Sequence, residues 1–239
     1  MSNTGAMPDK GTQLRDSLLT DLTADRRPSP EELRWAEAVS YTHLDVYKRQ
    51  PTDNRIALAS KGALRAVIRT TGRMAHSAYP ELGESATHKM VEALHRILAI
   101  PLPSLDDVGP STLNIGTIDG GHAPNVIADR AEAQILVRLV GPSDETRLAV
   151  EEAVEGLGTV DFTLEIPFKR LRAVEGLPTM VAAFTTDVPW LGNWGEPVLL
   201  GPGSIHVAHT PNEKLAKKEL LQAVDLYVEV ARHLLTSSR

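Results

Sequence analysis

The sequence predicts a mixed α/β protein, an α+β chain with one β-α-β-β-α-β unit at its centre. Two observations support this prediction. Four segments alternate apolar with polar residues, as half-buried strands do, and two intervening segments have apolar residues at helical spacing. The strands are predicted at residues 62–70, 113–118, 131–139 and 160–166. This order is the split βαβ, or ferredoxin-like, pattern, in which helices cover one face of the sheet.

The two helices are predicted from their spacing and their end signals. The first follows Gly83, and its apolar residues recur every three or four positions, at Ala86, Met90, Ala93, Leu94 and Ile97. The second begins after Ser143, a residue type that caps helices, and has Asp144 and Glu145 in its first turn. Gly156 is expected to end it. An uncovered sheet edge would remain free to pair with a second copy.

Composition narrows the classes of function. A chain of 239 residues with 42% hydrophobic and 23% charged residues fits a globular protein of one or two domains. No apolar run approaches the roughly 18 residues of a membrane span, and no secretory signal is recognisable, so a cytoplasmic location is expected. The net charge of -6 and the dispersed basic residues argue against nucleic-acid binding. Without cysteine, a metal would have to be held by His, Asp and Glu.

Residues 1–50 differ in character from the rest. They are largely polar and contain one short amphipathic helix at 32–39, with no strand pattern. Residues 45–50 read DVYKRQ, which one frame of a transposon mosaic end used in sequencing libraries would encode. We therefore interpret residues 40–50 as an assembly scar, with an ordinary loop as the alternative. Under this interpretation His43 has no function.

The segment from residue 176 to 239 is predicted to be part of a larger domain. Residues 179–186 favour a helix, 197–200 a short buried strand, and 201–204 a tight glycine turn. That turn either presents N–H groups to an anion or is a plain turn. His209 precedes TPNE, a capping-box pattern that starts a helical turn. A long terminal helix is predicted with one buried stripe, formed by Leu220, Leu221, Val224, Tyr227, Val228, Ala231 and Leu235.

Three motifs, in matching order and spacing, together resemble one family, the zinc amidohydrolases that include acetylornithine deacetylase, succinyl-diaminopimelate desuccinylase, aminoacylase and glutamate carboxypeptidase. The first is GRMAHSAYPELG at 72–83, similar to the lid motif of this family. The second is LNIGTI at 113–118 with GGHAPNVI at 120–127, similar to the lid hairpin. The third is GPG at 201–203 with HTPNE at 209–213, similar to the last metal-ligand loop.

The resemblance implies roles for individual residues. His209 would be a terminal zinc ligand in a site of two zinc ions, which cobalt can replace. His76 would reach from the lid into the partner subunit's site and donate to the oxyanion. Asn125 and Arg138 would orient the substrate carboxylate, and the loop from Gly201 to Gly203 would offer backbone donors. From the residues alone, Asn125 is equally typical of a turn and Arg138 of a surface charge.

The implied protein is a homodimer, joined through its lid, that hydrolyses N-acyl amino acids or peptides. The implied boundaries are a catalytic-domain remnant at 51–61, the lid at 62–175 and a C-terminal catalytic part at 176–239. His122, His206, His88, His95 and His233 are expected to be structural or solvated.

Several expected features of the family are missing from this chain. The expected His-x-Asp ligand run, bridging Asp and Glu-Glu pair are not recognisable in their family context. The His-x-Asp at 43–45 falls in the suspected scar, and the Glu pairs at 31–32 and 151–152 are not part of such a ligand set. Gln50 stands where a Gly-Glu-Pro-Thr run has its ligand Glu. Glu84, Ala128 and Leu136 replace the usual Asn, Pro and Asp. We therefore expect a truncated chain that is inactive as written. The alternative is a non-catalytic dimerising or ligand-binding module in which His209 only flanks a cap.

Overall fold

A computed structural model of the chain describes residues 50–191 and 196–236. The predictions for residues 1–49, including most of the suspected scar and His43, lie outside this range. The described residues divide into two compact units. The sheet unit comprises residues 56–173 and 178–198, and the terminal unit comprises residues 50–55, 174–177 and 199–236.

The regular elements of the sheet unit are strands and two α-helices. In chain order they are β1 (Ile56–Ser60), β2 (Gly62–Thr71), β3 (Ala75–His76), α1 (Ala86–Leu98), β4 (Ser104–Leu105), β5 (Gly109–Pro110), β6 (Thr112–Gly120), β7 (Val126–Ile127), β8 (Arg130–Leu139), α2 (Asp144–Val154), β9 (Gly158–Ile166), β10 (Lys169–Arg170) and β11 (Thr179–Ala182). The terminal unit contains the helix α3 (Lys217–Thr236).

The main sheet confirms the predicted mixed α/β class and its ferredoxin-like order. Its strands lie in the order β6-β8-β2-β9, and every neighbouring pair is antiparallel. The pairing of β2 with β8 runs without a bulge from Gly62 opposite Leu139 to Thr71 opposite Arg130. A register this long fixes which side chains of both strands point toward the helices.

The core lies between this sheet and the two helices. Ala66 and Ile68 of β2 and Ile135 of β8 are buried under α1 and α2. All five residues of the predicted α1 stripe are buried, at 0% to 6% exposure, as the helical spacing indicated. Ser85 caps α1 by accepting a hydrogen bond from the backbone N–H of His88 at 3.2 Å. The helix is therefore anchored at its first turn as well as along its buried face.

The expected cap of α2 was only partly right. Ser143 stands at the N-cap position, but its hydroxyl makes no cap hydrogen bond and instead donates to Glu165 Oε1 of β9 at 2.5 Å. A capping hydroxyl would accept a hydrogen bond from a backbone N–H of the first turn, whereas this hydroxyl is turned toward Glu165 and donates its proton to the charged carboxylate, which makes the stronger hydrogen bond. The helix ends at Val154, just before the left-handed Gly156 with φ +75°.

A second, smaller sheet corrects the expected helix at 179–186. Residues 179–182 form β11, which pairs parallel with β1, while β10 pairs antiparallel on the other side of β1. Thr179, Met180 and Val181 suit a strand as well as a helix, and the open edge of β1 decides between them.

Two predictions for the end of the chain were also wrong. Val198, Leu199 and Leu200 are buried, as expected, but residues 197–200 form no strand because the backbone there joins no ladder.

Helix α3 exists, yet its predicted buried stripe is largely exposed. Its buried described side chains are Ala223 and Val230, whereas those of Leu220, Leu221, Val224 and Tyr227 are 40% to 68% exposed. Periodicity predicts an apolar face but not the partner that covers it.

None of the helices in residues 50–191 and 196–236 is both long and apolar enough to cross a membrane.

Replacing Ile68 by Ala should lower the free energy of unfolding by about 2–5 kcal/mol, because Ile68 is fully buried at the centre of the core. The control is Leu148→Ala on α2, where the side chain is 57% exposed and the change should stay within about 0.5 kcal/mol. Urea denaturation of both variants measures the difference. Equal losses would contradict the placement of the core.

Candidate functional site

The segment that carries His76 is a loop closed at its base. Arg73 and Glu84 form an isolated antiparallel bridge, with N–H···O distances of 2.8 and 2.9 Å in the two directions. The Arg73 side chain also donates from Nε to the Leu82 carbonyl at 2.7 Å. These bonds hold residues 73–84 as one compact loop that leaves the end of β2. The loop therefore has a fixed base on the rigid sheet.

Strand β3 inside this loop pairs with β7, which lies between β6 and β8 in the chain. Ala75 lies opposite Ile127 and His76 opposite Val126, and Ser77 N–H donates to the Asn125 carbonyl at 2.9 Å. Two of the residues predicted from the sequence, His76 on β3 and Asn125 directly before β7, are thereby brought together although they are far apart in the chain.

The His76 ring is arranged to donate a hydrogen bond from one defined atom. Its side chain is exposed, and its Nδ1 accepts from the backbone N–H of Ala78 at 3.1 Å. A neutral imidazole whose Nδ1 is an acceptor carries its proton on Nε2. The Tyr79 ring packs edge-on, with ring centroids 6.3 Å apart. The geometry therefore offers a positioned Nε2–H donor.

A cleft of about 680 Å³ opens beside this pairing. Its lining is polar but contains neither carboxylate nor Lys or Arg side chains. The polar side chains around it are those of Ser77, Ser85, Thr87, His88 and His122. The cleft suits a ligand that exchanges hydrogen bonds with hydroxyls and imidazoles.

His122, expected to be structural or solvated, is paired with Asp129. His122 Nε2 lies 2.8 Å from Asp129 Oδ1, and both side chains are about one-third exposed. The hydrogen bond from His122 lowers the pKa of the Asp129 carboxyl from its ordinary value, and the nearby charge of Arg130 adds to this effect. The sequence carried no signal for this pair, because a His and an Asp seven positions apart are common in loops.

Arg138 is not brought close to His76 and Asn125 within the sheet unit. It lies near the far end of β8 from the Asn125 hairpin, and the eight residues from Arg130 span roughly 26 Å. Its side chain is partly buried and donates to Thr185 Oγ1 at 3.3 Å. In the described parts of the chain no carboxylate pairs with it, and burial lowers the pKa of its guanidinium. Such a cation is suited to bind an anionic group from outside.

In the terminal unit, the glycine turn is fastened to Thr52. The Thr52 hydroxyl accepts from Gly201 N–H at 2.9 Å and donates to the Gly201 carbonyl at 3.1 Å. Asp53 N–H donates to the Gly203 carbonyl at 2.8 Å. Gly203 itself adopts φ +83°, in the region that favours glycine. The Gly201 N–H is therefore already used inside the protein.

His209 lies in a hydrogen-bonded turn rather than before a helix, because α3 begins only at Lys217. Its side chain is exposed, and its backbone has φ +60°. Its N–H donates to Glu213 Oε2 at 2.8 Å, and Thr210 Oγ1 accepts from Asn212 N–H at 3.2 Å. The capping-box side chains thus close a turn instead of starting a helical one.

The described residues do not fit a zinc ion by themselves. A zinc site takes three or four protein ligands. Within 50–191 and 196–236, no group of three or more His, Asp and Glu side chains is arranged to hold a metal. His209 is the one ligand that the resemblance implied in this range, and one imidazole is not enough to hold the ion.

The fold and its sequence define the class of this chain. Residues 58–157 match the profile of a peptidase dimerisation domain, that of the M20 peptidases. The chain is related to the M20 peptidases beyond this domain as well. It is 37% identical over 196 residues to a peptidase M20 domain-containing protein of Sordaria macrospora, an alignment that covers 78% of this chain and 43% of that protein.

A further relative and two solved structures of similar fold match this chain. A probable carboxypeptidase of Aspergillus fumigatus is 34% identical over 220 residues, covering 79% of this chain and 48% of that protein. The chain thus spans less than half the length of these curated relatives. The aminopeptidase PepT of Bacillus cereus has a TM-score of 0.61 at 22% identity, over 75% of this chain and 53% of that one. The di-peptidase Dug1p of Saccharomyces cerevisiae has a TM-score of 0.58 at 10% identity, over 76% of this chain and 56% of that one. At these identities the likeness shows the fold alone.

Replacing Gly72 by Ala should disturb the His76 loop. A Cβ there would lie 1.9 Å from the Glu84 carbonyl oxygen and 2.9 Å from Ala86 N, so backbone must move. We expect a loss of about 1–3 kcal/mol of stability, and weaker protection of the Arg73 amide from hydrogen exchange. The control is Gly141→Ala, where the added atom meets nothing within 4 Å. If both variants behave alike, the close approach at Gly72 is not a constraint.

Proposed function

We propose that this chain is the lid and C-terminal part of a metal-dependent hydrolase that cleaves the amide bond of N-acyl amino acids or peptides. The observation that carries the proposal is the β3–β7 pairing, which holds the His76 donor and Asn125 side by side on the lid. This class of hydrolase includes the acetylornithine deacetylase, desuccinylase and carboxypeptidase branches. Among them, the curated relatives favour a peptide substrate. A cytoplasmic location stays a prediction from the sequence.

The proposed role of His76 follows from its hydrogen bonds. When an amide carbonyl is attacked, negative charge develops on its oxygen. A neutral imidazole with Nε2–H directed at that oxygen stabilises the charge without losing its own proton. The Ala78 N–H supports this role, because it occupies Nδ1 and holds the ring in one tautomer. Asn125 and Arg138 are proposed to bind the substrate carboxylate, each with N–H donors. Because Arg138 lies far from the hairpin, groups of two subunits could serve one substrate.

His209 is proposed as one zinc ligand of the intact enzyme, and its exposed ring supports this assignment. Cobalt is expected to replace zinc. The described residues do not supply the remaining ligands, so we expect no turnover from the 239-residue chain alone. The backbone around Gly201 and Gly203 is proposed to border the substrate.

To test the proposal, the uninterrupted gene would be expressed and assayed with zinc or cobalt on N-acetyl-ornithine, N-acetyl-lysine and dipeptides. In the active enzyme, His76→Ala should lower kcat about 100- to 1000-fold with a smaller effect on KM, because the lost bond forms with the transition state. The control is Met74→Ala, which truncates a half-exposed side chain in the same loop. Absence of turnover on all of these substrates, or full activity of the His76 variant, would contradict the proposal.

The proposed dimer uses the edge of the main sheet at β6. This strand pairs with β8 on one side, and among the described residues no strand pairs with its other side, where we place the second copy. Ile118 of β6 is 63% exposed, and Val91 and Leu98 of α1 are 67% and 62% exposed. Helix α1 packs near β6. An isologous pair of these edges would cover apolar groups on both copies.

Replacing Ile118 by Lys should therefore shift the dimer toward monomer and raise its Kd at least about tenfold, because each copy would bury an unpaired charge. Light scattering after gel filtration measures the mass. Leu148→Lys, on the helix that packs against the opposite edge strand β9, is the matched control and should remain dimeric. If Ile118→Lys remains as dimeric as the control, the interface lies elsewhere.

The second candidate is a non-catalytic dimerising or ligand-binding module. The missing metal cluster among the described residues favours it for the chain as it stands. This candidate predicts a dimer with no hydrolysis in any version of the protein, whereas the leading proposal predicts turnover once the full gene is expressed.

A further inference from the structure

The pair His122–Asp129 closes the loop that carries Asn125. His122 lies just after β6 and Asp129 just before β8, and β7 lies between them in the chain. Their side chains meet at 2.8 Å, and Gly121 N–H adds a bond to the Arg130 carbonyl at 3.3 Å. Inside the loop, Val126 N–H donates to the Ala123 carbonyl at 3.0 Å. The segment is thus tied at its base and has a turn at its tip.

Asp129 is also tied to the loop that carries His76. Its backbone carbonyl accepts from Gly72 N–H at 2.8 Å, at the position where β2 ends. A single residue therefore touches both loops, one through its side chain and the other through its backbone. Any shift of Asp129 would move the entry to the His76 loop and the exit from the Asn125 loop together.

We propose that His122 and Asp129 are positioning residues, which lock β7 against β3 and so hold His76 and Asn125 in register on the lid. The catalytic consequence rests on the proposed function, but the structural one does not. We assign the pair no contact with substrate, and its proposed action on the reaction passes through the β3–β7 pairing.

The ionisation of the Asp129 carboxyl is consistent with this role. The pKa of Asp129 lies below its ordinary value chiefly because His122 donates a hydrogen bond to its carboxylate, and a backbone hydrogen bond and nearby positive charge, including that of Arg130, add smaller effects. The stability that this bond contributes is therefore fully present above the pKa of an unfolded Asp. It is lost as the pH falls through the lowered pKa of Asp129 in the folded protein. His88 is the other titratable group in the cleft beside His122.

The test is amide hydrogen exchange by NMR on the whole 239-residue chain. Ser77 and Val126 report the pairing and the turn. In His122→Ala and Asp129→Ala their protection should fall about threefold to fivefold, as expected for the loss of one solvent-exposed polar side-chain contact. In His122→Gln, whose amide nitrogen can stand near the place of Nε2, protection should be retained. Ile68 in the core should keep its protection throughout, which shows that the variants are folded.

The matched control is Glu132→Ala, which removes the exposed ion pair between Glu132 of β8 and Arg69 of the neighbouring strand β2, at 2.8 Å. It should leave Ser77 and Val126 unchanged. Unchanged protection in the two Ala variants, an equal loss in the Gln variant, or an equal loss in the control would each overturn the inference. In the active enzyme, Asp129→Ala should lower kcat about tenfold, and full activity of His76→Ala would refute the proposed function while leaving the exchange result standing.

Discussion

The long antiparallel register between β2 and β8 is the constraint on which the rest of the sheet unit depends. It continues past Thr71 and Arg130 to the bond between Gly72 N–H and the Asp129 carbonyl. The point where the His76 loop leaves the sheet is therefore fixed beside the point where the Asn125 loop returns to it. Without this register, the two short strands β3 and β7 would have no reason to meet, because two residues of pairing are too few to be stable alone.

The same register places the stabilising core and the candidate site on different parts of the sheet. On one face, Ala66, Ile68 and Ile135 pack under the helices and supply the apolar burial that stabilises the unit. At the ends of the strands, polar loops carry the candidate site and contribute little burial. A rigid sheet with site residues on short, closed loops is the usual division between stability and function. The edge strand β6, which no other described strand pairs on its outer side, adds a third feature, the surface proposed for a second copy.

The terminal unit, by contrast, has little apolar burial and is shaped mainly by hydrogen bonds. Its described residues bury Ala223 and Val230 of α3 but leave four other apolar side chains of that helix exposed, and its glycine turn is held by Thr52 rather than by a sheet. The chain covers less than half of its curated relatives. The candidate metal ligand His209 lies in this unit, in a turn that side-chain hydrogen bonds close locally. Local bonds can shape such a turn, but a metal site needs ligands from several segments.

The sequence by itself determined the parts that depend on local periodicity and local motifs. The four strands of the main sheet, helices α1 and α2 and the buried stripe of α1 could all be predicted, because each leaves a pattern in neighbouring residues. His76 and Asn125 were singled out by motif. Only the tertiary structure decided that these two residues adjoin, that residues 179–182 form a strand against β1, that most of the apolar face of α3 is exposed, and that His122 pairs with Asp129. Each of these depends on a partner distant in the chain, and one sequence carries no record of which distant segments meet.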